Sequence, residues 1–216
     1  MLLTLLTVLI CLPVLALFLH TLVRIVRHFY KFPMPEFAAN IIDNPLRRKF
    51  QPPAEMPQRH GVKEGMTVLE IGPGNGTYTI ATAKEVGDSG QVITIDIEPK
   101  MITRVEERIN TAAIKNIEAR VADVFDLPFE EHTFDLIYMV AVIGEIPTPE
   151  RAMEEFHRVL KPGGLLSFSE ILMDPDYPLK KTLINLAEPV GFQLKNQVGN
   201  FFTYTLVFDK IDVLRE

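Results

Sequence analysis

The chain has 216 residues, a formal net charge of -6 and a pI of about 5.5. This length suits one domain with a sizeable core, and the acidic balance disfavours a nucleic-acid-binding surface, which normally needs a basic face. The single cysteine, Cys11, excludes a disulfide framework, and its place in an apolar segment disfavours cysteine-nucleophile chemistry in the folded domain.

Residues 1–23 are apolar and contain no Asp, Glu, Lys or Arg. As a helix this segment is about 34 Å long, which exceeds the roughly 30 Å of a bilayer's hydrocarbon core. Membrane helices tolerate a proline such as Pro13. Arg24, Arg27 and Lys31 follow the segment, as is typical of a cytoplasmic flank. The sequence therefore predicts a single-pass transmembrane anchor over residues 1–23, with the rest of the chain cytoplasmic.

Two other interpretations of this segment compete with the anchor. A cleaved signal peptide has its positive charge before the apolar run and a small-residue cleavage site after it. Here the charges come after the run, and the stretch LALFLH has no A-x-A pattern. A buried helix of a soluble protein would need apolar partners on every face. We favour the retained anchor.

Residues 24–61 are basic at their start and rich in proline, which predicts a linker with one short helix at about 41–50. The run Arg47-Arg48-Lys49 either contacts anionic lipid headgroups or forms a solvated helix face. The large apolar side chains of the linker either form a lipid-facing lid over the predicted site or pack as ordinary core. They are Phe32, Phe37, Ile41, Ile42 and Phe50.

Residues 62–216 form the predicted domain, in which strands and helices alternate. This alternation indicates an α/β fold with a parallel, doubly wound sheet. The last two strands, joined by Gly199-Asn200, must be antiparallel, because so short a turn cannot form a crossover. Strands are predicted at 67–71, 91–96, 117–122, 134–140, 165–172, 192–198 and 201–208, and helices at 76–86, from 99, at 149–160 and at 180–188.

The stretch VLEIGPGNG, residues 68–76, predicts a buried strand that leads into a glycine loop. In a doubly wound sheet the ligand binds beyond the carboxyl ends of the strands, at the point where the strand order reverses. Gly72, Gly74 and Gly76 would lie there. The dinucleotide fingerprint is G-x-G-x-x-G, whereas this loop has Thr77 where the third glycine would fall. That difference alone is weak evidence against a dinucleotide.

Glu70 precedes the glycine loop and bears on the charge of the ligand. A pyrophosphate near this carboxylate would be opposed by ~1 kcal/mol or more even in a solvated site, whereas an ammonium or sulfonium group would be favoured. The alternative is that Glu70 points away from the crevice and caps a neighbouring backbone group. We favour the orientation towards the ligand.

Two further acids end the next two predicted strands, Asp96 and Asp123. An acid at the end of the second strand can accept hydrogen bonds from ribose hydroxyls, and Asp123 could reach an adenine amino group. Either acid alone would also suit a turn. Together with Glu70 they predict a site for a ribose, an adenine and a cationic tail without phosphate.

At these residues the chain resembles a class I S-adenosylmethionine-dependent methyltransferase. VLEIGPGNG, VITIDIEP, VADVFDLPF and FDLIYM followed by RVLKPGG are similar to that family's motifs, in order, within residues 62–208. The resemblance implies a Rossmann-like seven-stranded sheet of order 3-2-1-4-5-7-6 with strand seven antiparallel, and S-adenosylmethionine as cofactor. The cofactor-binding residues that it implies are Glu70, Gly72, Pro73, Gly74, Gly76, Asp96, Ile97, Asp123, Val124 and Met139.

The acceptor of the methyl group is predicted mainly from the anchor, because a tether raises the effective concentration of membrane-partitioned substrates. We expect a small hydrophobic or lipid-like acceptor, such as a quinone-like molecule or a hydrophobic thiol. Glu145, in the stretch VIGEIPTP after the fourth strand, is the candidate acid/base residue. No metal-ligand spacing is found. The alternatives are a tethered, non-catalytic sensor or scaffold that binds S-adenosylmethionine and, less favoured, an NAD-dependent oxidoreductase.

Overall fold

A seven-stranded sheet forms the centre of the protein in the computed structural model, which describes residues 2–31 and 43–211 but not the side chains of residues 2–10, 16 and 28. Its order is β3-β2-β1-β4-β5-β7-β6, and β7 is antiparallel to both of its neighbours. The predicted sheet order and the antiparallel final strand are therefore confirmed. The strands are β1 (Thr67–Ile71), β2 (Gln91–Asp96), β3 (Ile117–Val121), β4 (Phe134–Val140), β5 (Leu160–Ile171), β6 (Phe192–Gly199) and β7 (Thr203–Lys210).

Helices cover both faces of the sheet and produce two apolar cores. Successive residues of a strand point to opposite faces, so Val68 packs in one core and Leu69 in the other. β4 has almost entirely buried residues, as expected for a central parallel strand. The helices are α1 (Leu2–Phe29), α2 (Pro45–Phe50), α3 (Met56–His60), α4 (Thr77–Val86), α5 (Pro99–Ala112), α6 (Pro149–Val159) and α7 (Lys180–Ala187).

The apolar N-terminal segment forms α1, whose basic end packs on the domain. The Arg24 Nη2 donates to the Tyr177 carbonyl at 3.1 Å, and the Arg27 guanidinium forms ion pairs with Asp176 and, at 3.5 Å, with Glu145. Lys31 Nζ donates to the Ile146 carbonyl at 3.4 Å. These bonds attach α1 to the two loops that follow β4 and β5.

The transmembrane helix predicted over residues 1–23 is not confirmed. Where the structure describes side chains, no helix is both long enough and apolar enough to cross a bilayer.

The predicted linker contains more regular structure than its prolines indicate. α2 begins at Pro45 because the Asn44 side chain accepts hydrogen bonds from the amides of Leu46 and Arg47. In α3, Met56 and His60 are fully buried against the domain. The predicted lid residues Phe32, Phe37, Ile41 and Ile42 lie outside the described residues, whereas Phe50 is half-buried and its ring lies 4.8 Å from that of Phe202.

β5 is longer than the predicted 165–172 segment because it includes the sequence KPGG. Phe134 pairs with Leu160 at its start, and a register shift separates this pair from the pair of Leu136 with Leu165. Such an irregularity lets a strand accommodate extra residues. At the other end of the pair, Val140, the last residue of β4, pairs with Ser169, and β5 continues to Ile171 before its loop begins.

Candidate active site

The glycine loop after β1 brings bare backbone to the carboxyl edge of the sheet. Gly72 has φ +67° and Gly74 has φ +58°, a conformation that favours glycine. A Cβ atom on Gly72 would lie 2.6 Å from Val142 Cγ2, whereas one on Gly74 would meet nothing within 4 Å. Gly72 therefore permits a close approach between two loops, and Gly74 leaves open space in front of the backbone.

A cavity opens at this edge, beyond the ends of β1, β2, β3 and β4. Strand register explains why distant motifs meet there: Ile71 pairs with both Ile95 and Met139, and Asp96 pairs with Val121. Most of the predicted site residues line this cavity. The cavity lies where a doubly wound sheet is expected to bind its ligand. Those that line it are Gly72, Pro73, Gly74, Asp96, Ile97, Asp123, Val124 and Glu145.

Three predicted cofactor residues are not on the cavity wall. Met139 is fully buried in the sheet, because the side chain next to the strand end points into the core. Gly76 caps α4, and a Cβ atom there would meet Val105 at 3.5 Å. Glu70 points to the face of β1 that packs on α4. The direction of the side chain therefore keeps Glu70 and Met139 off the wall, whereas Gly76 is kept off it by its position at the start of α4.

Glu70 is 2% exposed and accepts a hydrogen bond from the Thr79 hydroxyl. Burial raises the pKa of its carboxyl to about 7, and the hydrogen bond from Thr79, which favours the charged form, offsets only part of that effect. The expected contact of Glu70 with the ligand is therefore not confirmed, and the alternative orientation, away from the crevice, is the one observed.

Asp96 and Asp123 lie on the cavity wall, as predicted. Asp96 Oδ1 accepts from the Glu98 amide, and Asp123 Oδ1 accepts from the Phe125 amide, each at 2.9 Å. These bonds fix both carboxyl groups at strand ends. Burial raises the pKa of Asp96. Each acid can present its other oxygen to hydroxyl or amino groups of a ligand.

S-adenosylmethionine fits the residues of this part of the cavity. The open space before Gly74 admits a ligand chain, Asp96 offers an acceptor for ribose hydroxyls, and Asp123 offers one for an adenine amino group. Ile97, Met101 and Phe125 provide apolar surface for the adenine ring. We call this wall, from Gly72 to Gly74 with Asp96, Ile97, Met101, Asp123, Val124 and Phe125, the cofactor half.

The other part of the cavity, the acceptor half, is formed by Arg47, Val142, Glu145, Ile146, Pro147 and Asp174. Glu145 lies in a single 3-10 turn, Ile143–Glu145, and is paired with Arg27 of α1. Gly144 permits this turn to touch the loop after β5, because a Cβ atom there would overlap the Asp176 carbonyl oxygen. The structure therefore places the candidate acid/base residue beside the cofactor half. Its role stays a prediction.

Sequence reasoning missed several wall residues. Asp174 follows β5 in the sequence DPD, and the rule applied to Asp96 and Asp123 would have found it. Arg47 carried only the signal of a basic run. Asp43 forms an ion pair with Arg48 at 2.8 Å and accepts from Thr77, and these bonds lower the pKa of its carboxyl to about 2, against the opposing effect of burial. No local sequence pattern predicts the ion pair between Asp43 and Arg48.

Comparisons with known proteins agree with this site. Residues 62–204 match a family model described as a methyltransferase domain. The chain is 35% identical over 126 residues to a demethylmenaquinone methyltransferase of Staphylococcus aureus, covering 58% of this chain and 51% of that protein. It is 31% identical over 114 residues to an arsenite methyltransferase of Halobacterium salinarum, covering 53% of this chain and 29% of that protein.

A crystal structure of a SAM-dependent methyltransferase from Aquifex aeolicus has a similar fold, with a TM-score of 0.77 and 24% sequence identity. The match covers 83% of this chain and 100% of that one. The present chain spans about half or less of the length of the curated relatives cited above. The similarity therefore concerns the domain around the cavity.

Proposed function

The chain belongs to the methyltransferase-domain family, and from this premise we propose that it transfers a methyl group from S-adenosylmethionine to a small hydrophobic, quinone-like acceptor. The prediction of a class I S-adenosylmethionine-dependent methyltransferase domain is confirmed by the family match and the fold. The predicted cofactor is confirmed with it. The acceptor, the membrane attachment and the residue roles are the parts that we propose.

The observation that carries the proposal is the continuity of the two halves of the cavity. Val142 touches the glycine loop at Gly72 and also lines the acceptor half. A ligand in the cofactor half would thus end beside the apolar wall formed by Val142, Ile146 and Pro147. Small-molecule sites are typically apolar with a few directed polar groups, and this wall has that character.

S-adenosylmethionine supplies an already activated methyl group when bound. The chain's own residues therefore need to place the acceptor in line and to exclude water, which supplies much of the rate. Glu145 is the candidate to accept a proton from an acidic group of the acceptor. Arg27, buried beside it, orients that carboxyl and ties it to the loop after β5.

The two similar methyltransferases cited above have different named acceptors, and the side chains of the cavity favour one of them for this chain. Trivalent arsenic is a soft centre, and soft centres are typically held by thiolates. The only cysteine of the chain is Cys11 in α1, and no cysteine lines the cavity. An apolar wall instead suits a ring such as that of a demethylated quinone, which supports the quinone-like acceptor.

We also propose that α1 holds the protein at a membrane, with the domain on the cytoplasmic side. Leu17 and Phe18 are 67% and 62% exposed, and most other described apolar side chains of α1 between residues 12 and 26 are exposed. Exposed apolar surface of this extent is typical of interaction or membrane contact. Arg24, Arg27 and Lys31 at the domain end of α1 follow the distribution expected for a cytoplasmic flank.

Methyl transfer tests the proposed function directly. The full chain is incubated with S-adenosylmethionine carrying a labelled methyl group and with reduced demethylmenaquinone, and products are identified by mass spectrometry. We expect a labelled methyl group on the quinone. Glu145→Gln should lower the rate while leaving the affinity for S-adenosylmethionine unchanged, because Glu145 faces the acceptor half.

The alternatives give different results in the same experiment. A sensor would bind S-adenosylmethionine without transfer to this acceptor or to any component of a membrane-lipid extract. An oxidoreductase would bind NAD in calorimetry. We expect no binding of NAD, because the cofactor half presents carboxylates and no basic side chain within its described wall. Transfer to a polar acceptor in preference to the quinone would overturn the acceptor assignment.

Membrane attachment is tested by sedimentation of the full chain with vesicles of phosphatidylcholine and phosphatidylglycerol. Leu17→Asp combined with Phe18→Asp should release the protein into the supernatant. Val121→Asp is the matched control, because Val121 is an exposed apolar residue on the edge strand β3. Equal sedimentation of the two variants would show that α1 does not provide the attachment.

A further inference from the structure

Arg47 is the one basic side chain on the described wall of the cavity, and it is buried, with 9% exposure. Its Nε donates to Gln51 Oε1 at 3.0 Å, and its Nη2 donates to the Val140 carbonyl at 3.4 Å. Both partners are neutral. Buried charges in proteins are normally compensated by an opposite charge, so this guanidinium is incompletely compensated by its direct contacts.

The neighbouring Arg48 provides an internal comparison. Its Nε and Nη2 donate to the two oxygens of Asp43, each at 2.8 Å. Asp43, the acidic residue closest to α2 in the sequence, is therefore already paired with Arg48. Within residues 2–31 and 43–211, none of the ion pairs shorter than 4.0 Å includes Arg47.

Two other carboxyl groups lie within electrostatic range of Arg47, those of Glu170 and Asp174. Both are buried, and burial raises the pKa of both, so each retains its proton more readily than an ordinary carboxyl. Glu170 Oε1 has no hydrogen-bond partner among the described residues. These acids therefore compensate Arg47 less than an exposed carboxylate at the same distance would.

The position of Arg47 connects its charge with the acceptor. The Val140 carbonyl to which it donates is the last of β4, immediately before the loop with Val142, Ile146 and Pro147. A ligand in the acceptor half would therefore meet an apolar wall with one guanidinium at its strand end. Of the two carboxyl groups on that wall, Glu145 is paired with Arg27, and burial raises the pKa of Asp174. That combination fits an apolar ring that carries one anionic oxygen, because a guanidinium binds oxygen anions by directed, charge-assisted hydrogen bonds.

We propose that Arg47 binds the acceptor as its anion, through a phenolate-type oxygen of an aromatic or hydroquinone ring held in the acceptor half. This inference rests on the proposed function and narrows its substrate class to phenols and hydroquinones that bind ionised. Arg47 is then the residue that distinguishes such an acceptor from a neutral apolar molecule of the same shape.

Binding of 4-nitrophenol tests the inference without methyl transfer. Its phenolate is yellow and its phenol is colourless, so absorbance reports the ionisation state of the bound probe. The full chain, saturated with S-adenosylhomocysteine, should increase the phenolate fraction at fixed pH. Arg47→Met should weaken phenolate binding about tenfold to a hundredfold, because hydrogen bonds to charged groups have this strength. Lys49→Met, on the exposed side of the same helix, should bind as the original chain does.

Three results would overturn the inference: no increase in phenolate on binding, equal affinity for the neutral 4-nitroanisole, or unchanged phenolate affinity in Arg47→Met. Calorimetry with S-adenosylhomocysteine identifies variants whose cofactor half is intact. If Arg47→Met does not fold, Arg47→Lys takes its place in the test. Lysine keeps the positive charge but lacks the paired N–H donors of the guanidinium, so this variant should bind phenolate several-fold more weakly. Equal affinity in Arg47→Lys and the original chain would again overturn the inference. Failure of the proposed function appears separately, as absence of methyl transfer in the original chain.

Discussion

The cofactor half of the cavity takes its wall from residues that directly follow β1, β2 and β3, whereas the acceptor half combines α2 with the loops after β4 and β5. In the cofactor half, each binding group lies within a few residues of a strand end, and neighbouring backbone amides hold Asp96 and Asp123. In the acceptor half, Arg47 contacts a carbonyl 93 residues away, and Arg27 contacts Asp176 across 149 residues.

This difference has a consequence for how each half responds to substitution. Local geometry in the cofactor half means that a single side chain or φ angle controls ligand affinity. Long-range contacts in the acceptor half mean that a change in one loop alters the position of another while the sheet stays intact. Four predictions test the distinction, from the largest expected effect to the smallest.

Gly72→Val should abolish cofactor binding, with a loss of affinity of more than about a hundredfold. The side chain would collide with Val142, and the left-handed φ adds strain of about 1–3 kcal/mol. Gly163→Val is the control, because Gly163 has φ +71° and open space around it. It should lose stability but keep its affinity for S-adenosylhomocysteine in calorimetry. Equal losses of affinity in both variants would show that the glycine loop has no special role in cofactor binding.

Glu70→Gln should stabilise the protein at alkaline pH. The folded carboxyl has a pKa of about 7 against 4.5 for its ordinary value. Between these pH values only the folded state holds the proton, so the free energy of unfolding falls as pH rises, by roughly 3 kcal/mol in total at about 1.4 kcal/mol per pKa unit. The glutamine variant lacks this loss and should be the more stable protein above the folded pKa.

Denaturant unfolding at about pH 5 and about pH 8 measures the effect of Glu70 across that window. Glu131→Gln, on an exposed turn, is the control and should leave the pH profile unchanged. Cofactor affinity should also survive in Glu70→Gln, because Glu70 lies behind the wall. A tenfold or larger loss of affinity would instead place its carboxyl on the ligand.

Asp96→Ala should weaken cofactor binding about tenfold to a hundredfold, since it removes a charged acceptor for ribose hydroxyls. Calorimetry with S-adenosylhomocysteine measures this loss. Asp135→Ala is the control at the opposite end of the sheet, where Asp135 accepts from the Thr67 amide and pairs with Lys161. That variant should lose stability without losing affinity. An unchanged affinity in Asp96→Ala would contradict the ribose assignment.

Gly144→Ala should raise the acceptor KM, by about tenfold at most, and leave cofactor affinity unchanged. The added methyl group overlaps the Asp176 carbonyl, and relief of such overpacking shifts the backbone, here separating the loops after β4 and β5. Steady-state kinetics with the quinone acceptor and calorimetry with S-adenosylhomocysteine distinguish the two effects. A loss of cofactor affinity equal to the rise in KM would show that the two halves do not respond separately.

Much of the fold was predictable because its signals are periodic and local. Alternation of apolar strands with amphipathic helices predicted the parallel sheet. The short Gly199-Asn200 turn required the last two strands to be antiparallel to each other. α3 was missed because its proline also suits a linker, whereas the burial of Met56 and His60 depends on contacts with the sheet. The N-terminal segment was correctly expected to be helical, but length and composition were insufficient to establish a membrane crossing.

The sequence by itself determined the glycine loop, the strand-end acids Asp96 and Asp123 and the family of the domain, because in a doubly wound sheet the ends of parallel strands must meet at one edge. Only the tertiary structure decided that Glu70 and Met139 turn away from the cavity, and that Arg47, Glu145 and Asp174 share one wall. The physical reason is that strand order fixes which strand ends lie side by side at the edge of the sheet, whereas packing against neighbouring helices and distant loops fixes where a side chain points.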